Sequence, residues 1–192
     1  IDLSGSMLAV LHEKFPSLPV ALADMTRLPF APAAFDGVIA FHVFHLVSGW
    51  RDALAEAVRV LRPGGKFIYS IHGRDPNSVN SQLRTQWRRL LADQGIKAEP
   101  PGIRDDAQVD QVLRQLGCRD HQQREVIRSR EPVTARFVLD AMEKRIWSDT
   151  WLVPDDVFAQ TMGVLRAWAS ERFDLDQVDQ DEYHVGFHVY TV

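Results

Sequence analysis

The stretch VRVLRPGGKFIYS, residues 58–70, decides the fold of this chain. Its first residues end a run of apolar side chains at helical spacing, and its last residues are the β-branched and aromatic side chains of a strand. Between these two segments, Pro63 ends the helix, and Gly64 and Gly65 can adopt the positive φ that a sharp reversal requires. A helix that turns into a strand over so few residues is typical of a doubly wound α/β sheet.

Two further strands are predicted upstream of this turn. The segment VALAD (20–24) is a short apolar run that ends in a carboxylate, which is typical of a buried parallel strand. The segment GVIAFHVFHLV (37–47) predicts a second buried strand that runs into two histidines. Ser4 and Ser48 are each placed to cap a helix, and Trp50 begins the apolar stripe of the second helix. The interleaved strands and helices predict the α/β class.

The chain continues after this part with a different pattern. The predicted elements are helices over 78–91 and 105–117, a polar strand over 118–130, two helices within 132–172 and a strand over 183–192. Apolar and polar residues alternate strictly in the last strand, and we expect His184 and His188 on its polar side to face solvent. Because a plain hairpin needs only a few residues between the last two strands, residues 131–178 are predicted to be a helical insertion.

Composition limits the class of protein. The chain has 192 residues, of which 45% are hydrophobic and 25% charged, and this balance predicts one globular domain. Its single cysteine, Cys118, excludes a disulfide framework within the chain and fits a reducing compartment. No apolar run approaches the roughly 18 residues that a membrane span needs, and no signal peptide opens the chain. We therefore expect a cytoplasmic protein without a membrane partner.

One basic cluster stands out against a formal net charge of -4. It consists of Arg74, Arg84, Arg88 and Arg89. A solvated helix face explains this cluster better than nucleic-acid binding does, because no long basic run accompanies it. We expect no nucleic-acid partner.

Polar side chains follow three of the candidate strands. These side chains are Asp2, Asp24 and the pair His42 and His45. In an open α/β sheet, ligands bind beyond the carboxyl ends of the strands. A carboxylate after one strand can accept both hydroxyls of a ribose, and a carboxylate after the next can accept an exocyclic amine, so an adenosine would satisfy both. The alternative for either aspartate is a helix-capping or turn residue.

Four motifs together resemble one family. They read IDLSGSML, ADMTRLPF, AFDGVIAFHVFHLV and ALAEAVRVLRPGGKFIYS, and their order is similar to that in the class I S-adenosylmethionine-dependent methyltransferases, in particular the ubiquinone/menaquinone-type C-methyltransferases. The resemblance covers residues 1–71 well and the rest of the chain by general layout. It implies a Rossmann-like sheet, mostly parallel with an antiparallel C-terminal strand, and S-adenosyl-L-methionine as the cofactor.

The resemblance also implies roles for individual residues on the adenosine side. Asp2 would hold the ribose diol, and Met7 would pack on the adenine. Asp24 would accept a hydrogen bond from the adenine amino group, and the Met25 backbone amide would reach a ring nitrogen.

On the methionine side, the resemblance implies that Ala40 and Phe41 contact the cofactor through their backbone. His45 would border the methyl group and the acceptor. The LRPGG motif would be structural, as the hairpin that aims the following strand.

The chain departs from the family pattern at its start. The family's glycine-rich loop, and the strand before it, would precede Ile1, so the predicted sheet is N-terminally incomplete. Glycine is needed there because the backbone approaches the methionine portion of the cofactor closely. We expect the chain to be a fragment of a complete enzyme, and residues 1–192 alone to hold the cofactor poorly.

The predicted insertion 131–178 is expected to cap the site of a small-molecule acceptor. It carries Trp147 and Trp151, of which one is expected to face His45 across a cavity. An aromatic wall at that place would exclude water and could favour the sulfonium by cation–π attraction. The alternative is that both tryptophans only attach the insertion to the sheet.

The leading hypothesis is methyl transfer from S-adenosylmethionine by in-line displacement at the sulfonium methyl group, with catalysis mostly by positioning. His45 or His42 is the candidate base if the acceptor must lose a proton. The spacing of the two histidines is compatible with a metal pair, but no nearby carboxylate or cysteine completes such a site, and we expect no metal.

Two alternatives belong to other classes. One is a truncated or non-catalytic binding module that keeps the methyltransferase-like fold. The other is a fragment of an NAD-dependent dehydrogenase, against which the LPF after Asp24 and the LRPGG motif argue.

Overall fold

A computed structural model describes residues 1–97, 101–103 and 105–192. The helices are α1 (Gly5–Lys14), α2 (Trp50–Val60), α3 (Val79–Asp93), α4 (Asp106–Gln115), α5 (Ala135–Glu143) and α6 (Asp155–Arg172). The strands are β1 (Phe35–Ala40), β2 (Leu61–Arg74), β3 (Arg119–Val133) and β4 (Asp179–Thr191). Short 3-10 helices span Phe44–Leu46 and Ser148–Thr150.

The chain folds as two compact units. Unit 1 comprises Ile1–Ser70, Pro101–Arg124 and Phe187–Val192, and unit 2 comprises Ile71–Pro100 and Glu125–Gly186. The chain passes from one unit to the other within β2, β3 and β4. The predicted insertion 131–178 lies entirely in unit 2.

The strands form a mixed sheet in the order β1-β2-β4-β3. Strand β1 is parallel to β2, with Ala40 opposite Tyr69. Strand β4 is antiparallel to β2 in unit 1, since Gly64 donates a hydrogen bond to the Val192 carbonyl (2.6 Å) while His188 packs beside Tyr69. The α/β fold with an antiparallel C-terminal strand is confirmed.

The Arg-Pro-Gly-Gly turn at the start of β2 depends on its two glycines. Gly64 has a φ of +82°, in the left-handed region that favours glycine. A Cβ on Gly65 would lie 2.8 Å from the Arg62 carbonyl oxygen and 3.1 Å from the Asp36 carbonyl oxygen. Residues 62–65 therefore loop out of the ladder between β1 and β2, and the loop leaves no room for a side chain at Gly65.

Unit 1 has an apolar interior built from α2, α4 and β2. The fully buried side chains in these elements include Leu54, Val60, Phe67, Val109 and Leu113. The ring of Phe44 meets Phe67 edge-on at 6.0 Å, which attaches the 3-10 helix to this interior. The apolar stripe predicted to begin at Trp50 is buried on one face of α2, as helical spacing requires.

Unit 2 has its own core, formed by α3, α5 and α6. Its fully buried members include Leu83, Trp87, Leu91, Val138, Leu139, Met142 and Leu165. The Trp87 indole donates a hydrogen bond to the Thr161 hydroxyl (3.2 Å), so its polar atom is satisfied within the core. Trp168 packs at the edge of this core.

The prediction of a buried strand over residues 20–24 is wrong in this structure. The segment makes one parallel bridge, Asp2 opposite Leu22, and Leu22 is 65% exposed. A ladder cannot extend from Asp2 because Ser4 already caps α1, with its side chain accepting a hydrogen bond from the Met7 amide.

Strand β1 is shorter than predicted and ends at Ala40. His42 has a φ of +49°, which interrupts the extended backbone and directs the chain into the 3-10 helix Phe44–Leu46. The next helix is capped by Gly49 without a side-chain hydrogen bond, so the predicted cap at Ser48 is also wrong.

The expected exposure of the histidines on β4 is wrong for His188. Its side chain is buried, and its ring lies nearly parallel to that of Tyr69 at a centroid distance of 4.8 Å. Alternation alone does not reveal this, because β4 lies between β2 and β3, where both faces of a strand can be covered. His184 is half-buried, and its ring covers Gly73.

We expect Gly65→Ala to lower the free energy of unfolding by more than about 1 kcal/mol, because the new methyl group meets two backbone oxygens that cannot move independently. Urea unfolding followed by circular dichroism measures the change.

Gly163→Ala is the matched control for this substitution. No atom lies within 4 Å of a Cβ at Gly163 in α6, so the same change is expected to stabilise by about 0.5–1 kcal/mol. Equal effects of the two substitutions would show that the turn at Gly65 is not sterically restricted.

Candidate functional site

Asp2 lies at the surface of unit 1, immediately before α1. Its Oδ1 accepts a hydrogen bond from the Ser4 amide (2.8 Å), which fixes the carboxylate at the start of the helix. Met7 follows one turn later and is 59% exposed. The structure therefore presents a carboxylate and an apolar side chain at the same helix end.

Asp24 is the second acidic residue of the predicted site. Its Oδ1 accepts hydrogen bonds from both the amide and the hydroxyl of Thr26, each 2.8 Å long. Both bonds lower the pKa of Asp24, and the bond from the backbone amide has the larger effect. The carboxylate of Asp24 is therefore ionised at neutral pH. The parallel bridge between Asp2 and Leu22 brings the segments that end in Asp2 and Asp24 side by side, with half-buried Met25 directly after the second aspartate.

The end of β1 presents the other predicted residues. Ala40 is buried, whereas Phe41 is 57% exposed and its ring lies 6.2 Å from that of Phe187. The left-handed turn at His42 is held by its amide, which donates a hydrogen bond to the Ser70 hydroxyl (2.7 Å). The turn brings the two predicted histidines together, with the ring centroids of His42 and His45 4.5 Å apart.

Residues 101–103 contact the backbone of this turn, a contact that the sequence did not predict. The Gly102 amide donates a hydrogen bond to the His45 carbonyl (2.9 Å), and the Ile103 amide donates to the Phe44 carbonyl (3.1 Å). A Cβ on Gly102 would collide with the backbone of Phe44 and His45. The sequence offered only a Pro-Pro-Gly tripeptide as a signal, which is equally typical of any chain break.

The two tryptophans of the predicted acceptor cap lie in unit 2. Trp147 is half-buried, and the guanidinium carbon of Arg84 lies 5.0 Å from its ring centroid. Trp151 is 57% exposed, and its indole donates a hydrogen bond to the Arg145 carbonyl (2.8 Å). His45 belongs to unit 1, and the expectation that a tryptophan faces it stays a prediction.

Part of the predicted basic cluster is not solvated. Arg84 donates a 2.5 Å hydrogen bond to the buried carboxylate of Asp149, and Arg74 forms an ion pair with buried Asp181. Burial is the main cause that lowers the pKa of Arg74, and the charge of Arg84 lowers it further. The expectation of a solvated helix face is therefore wrong for Arg84, which is half-buried against the carboxylate that it neutralises, whereas Arg74 stays exposed on β2.

The described residues contain no group of three or more histidine, cysteine, aspartate or glutamate side chains that could hold a metal ion. Among the same residues, no helix is both long and apolar enough to cross a membrane.

Comparison with known proteins assigns residues 1–69 to a family. Residues 1–69 match the methyltransferase domain. The chain is 30% identical over 140 residues to the phthiotriol/phenolphthiotriol dimycocerosates methyltransferase of Mycobacterium tuberculosis, an alignment that covers 71% of this chain and 47% of that protein. It is 38% identical over 68 residues to the demethylmenaquinone methyltransferase of Renibacterium salmoninarum, covering 35% of this chain and 29% of that protein.

Residues 1–69 of this chain carry a methyltransferase domain. The predicted family is thereby confirmed, and the dehydrogenase alternative is not. This methyltransferase chain spans about half the length of the first of these curated relatives. A putative methyltransferase from Bacillus halodurans has the same fold, with a TM-score of 0.55 at 12% identity over 99% of this chain and 80% of that one.

We expect Gly102→Ala to detach residues 101–103 from the 3-10 helix, because the added methyl group would collide with the backbone of Phe44 and His45. Amide hydrogen exchange measured by mass spectrometry should then become faster in peptides covering 41–47. Gly5→Ala serves as the control, since no atom lies within 4 Å of a Cβ at Gly5. Unchanged exchange in Gly102→Ala would mean that the segment does not restrain the turn.

Proposed function

We propose that this methyltransferase chain binds S-adenosyl-L-methionine and transfers its methyl group to a small-molecule acceptor by in-line displacement. One observation carries the proposal: Asp2 and Asp24 follow two segments joined by a parallel bridge, inside the part of the chain that matches the methyltransferase domain. When bound, S-adenosylmethionine supplies the electrophilic methyl group on its sulfonium.

The adenosine side of the proposed site fits these residues. The surface carboxylate of Asp2 can accept hydrogen bonds from the two ribose hydroxyls, and the ionised carboxylate of Asp24 can accept one from the adenine amino group. The exposed side chain of Met7 offers an apolar surface to the adenine ring. The backbone amide of Met25 is the donor proposed for a ring nitrogen.

The methyl side of the proposed site is the turn that follows β1. The backbones of Ala40 and Phe41 would contact the methionine portion of the cofactor. His45 would border the acceptor, with its carbonyl fixed by Gly102. If the acceptor must lose a proton, the imidazole of His45, or that of neighbouring His42, would receive it.

We further propose that residues 131–178 contribute to acceptor specificity. In this segment, Trp151 exposes an aromatic surface, and Trp147 is stacked against Arg84, which is in turn fixed by Asp149. Rigid aromatic side chains provide contact area at a low entropic cost. The names of two relatives give demethylmenaquinone and a phthiotriol-type compound as their acceptors, which are chemically distinct small molecules.

The proposed compartment is the cytoplasm, and the proposed partners include no nucleic acid or membrane. Cys118 is a free and buried thiol, and burial raises its pKa, so it is kept from the thiolate form that reacts. A free buried thiol is compatible with a reducing compartment.

The role of Asp2 is tested with S-adenosylhomocysteine, titrated calorimetrically into the protein. Hydrogen bonds to a charged group contribute about 1.5–3 kcal/mol each, so Asp2→Ala should weaken binding at least about tenfold while the fold is kept. Glu13→Ala removes the same charge from an exposed position of α1 and should leave binding unchanged.

Two results would contradict the proposal. An unchanged dissociation constant in Asp2→Ala would return Asp2 to the role of a turn residue. Absence of binding to the unsubstituted chain, and to the same chain with any coding sequence that precedes Ile1 restored, would contradict cofactor binding itself.

The acceptor role of unit 2 is tested with Trp151→Ala. We expect the KM for a methyl acceptor, with demethylmenaquinone as the first probe, to rise at least about threefold, since an exposed aromatic contact is worth roughly 1 kcal/mol. The dissociation constant for S-adenosylhomocysteine should not change. Exposed Phe137→Ala, also within 131–178, is the control. An unchanged KM would remove Trp151 from the acceptor site.

A further inference from the structure

Four aromatic side chains of unit 1 lie together on strands β2, β3 and β4. They are Tyr69 from β2, His121 from β3, and His188 and Tyr190 from β4. The ring of His188 is 4.8 Å from Tyr69 and 4.9 Å from His121, and the ring of His121 is 4.5 Å from Tyr190. The planes within each of these three ring pairs agree to within 9°, and those of Tyr69 and Tyr190 to within 13°.

The two imidazoles are hydrogen-bonded to each other. His121 Nε2 and His188 Nδ1 are 2.7 Å apart, and this bond requires a proton on one of the two nitrogens and a lone pair on the other. His188 is buried, whereas His121 is partly exposed.

The two outer nitrogens of the pair each face a carboxylate of α4. His121 Nδ1 lies 3.7 Å from Asp110 Oδ1, and His188 Nε2 lies 4.0 Å from Asp106 Oδ2. His188 Nε2 is completely buried and makes no hydrogen bond within the described part of the chain. The pair therefore has the arrangement carboxylate, imidazole, imidazole, carboxylate.

The number of protons on the two imidazoles determines which hydrogen bonds the pair can make. In the neutral pair, one of the two outer nitrogens is always a bare lone pair that faces a carboxylate, whichever imidazole donates the shared bond. One added proton gives both outer nitrogens an N–H and keeps the shared bond. A second added proton would place two N–H groups against each other across 2.7 Å and break it.

We propose that His121 and His188 form a buried site that binds a single proton and links α4 to the sheet. The site contains none of the residues proposed for methyl transfer. It holds one positive charge between Asp106 and Asp110 and excludes a second one.

The groups around the pair support one proton and no more. The Tyr190 hydroxyl donates to Asp110 (3.0 Å), and the Tyr69 hydroxyl lies 3.4 Å from Asp106 as a donor. Burial raises the pKa of both tyrosines, so they remain donors. Arg114 donates a hydrogen bond to Asp110 (2.7 Å), and this bond is the main cause that lowers the pKa of the Asp110 carboxyl. Asp110 is therefore an anion.

His188 is the ring that resists the second proton. Burial is the first cause that lowers its pKa, and the charge of His121 acts in the same direction, whereas Asp106 and Asp110 oppose it. In the unfolded chain, His188 would bind a proton near its ordinary pKa of about 6.5. Below that pH, the unfolded state binds more protons than the folded state, so stability falls with falling pH until the lower folded pKa is reached.

The first experiment follows the imidazole nitrogens of the 192-residue protein by long-range ¹H–¹⁵N NMR during acidification. We expect the pair to take up one proton while His188 stays neutral at pH values below about 6.5, the ordinary pKa of a histidine. If both rings of the pair become fully charged near pH 6.5, the single-proton site does not exist.

The second experiment uses variants. In His121→Gln, His188 should titrate at a higher pH than in the wild type, and in His12→Gln it should not change. His188→Gln should remove an acid dependence of up to about tenfold in the folding equilibrium constant per pH unit below pH 6.5. An unaltered acid dependence in His188→Gln would overturn the proposal, and the wild-type NMR titration decides it if a variant does not fold.

Discussion

The close approach of Gly65 to the carbonyl oxygens of Arg62 and Asp36 is the constraint on which the geometry of unit 1 depends. It lets the chain leave α2 and enter β2 without a spacer, so that β2 pairs with β1 on one side and β4 on the other. This pairing places Ala40, the last residue of β1, opposite Tyr69. The candidate site residues that follow β1 are positioned by that register.

The candidate methyl-transfer site combines regular strands with irregular backbone. The strand before it is regular, but the site itself is a turn with a positive φ at His42. Hydrogen bonds from outside the turn hold it, with Ser70 at one end and residues 102–103 at the other. A scaffold that fixes a loop in this way is the usual means of placing functional groups, because loop backbone has few internal hydrogen bonds.

Buried charges are handled differently in the two units. In unit 2, Asp149 and Asp181 are each neutralised by an arginine from another element. In unit 1, the histidine pair and its flanking carboxylates depend on the position of a proton. Both arrangements follow from the free-energy cost of an unpaired charge out of water. The dependence on a proton also makes the stability of unit 1 sensitive to acid.

The sequence by itself determined the α/β class, the helices and the family, because these depend on local spacing, on glycine and proline positions and on ordered motifs. It also located Asp2, Asp24 and the histidine turn, although their roles remain proposals. Tertiary structure alone decided that residues 20–24 form only a bridge, that His188 is buried and that Gly102 contacts the turn. Each of these depends on which segments lie beside one another, and contacts between distant residues leave no periodic signal in the chain.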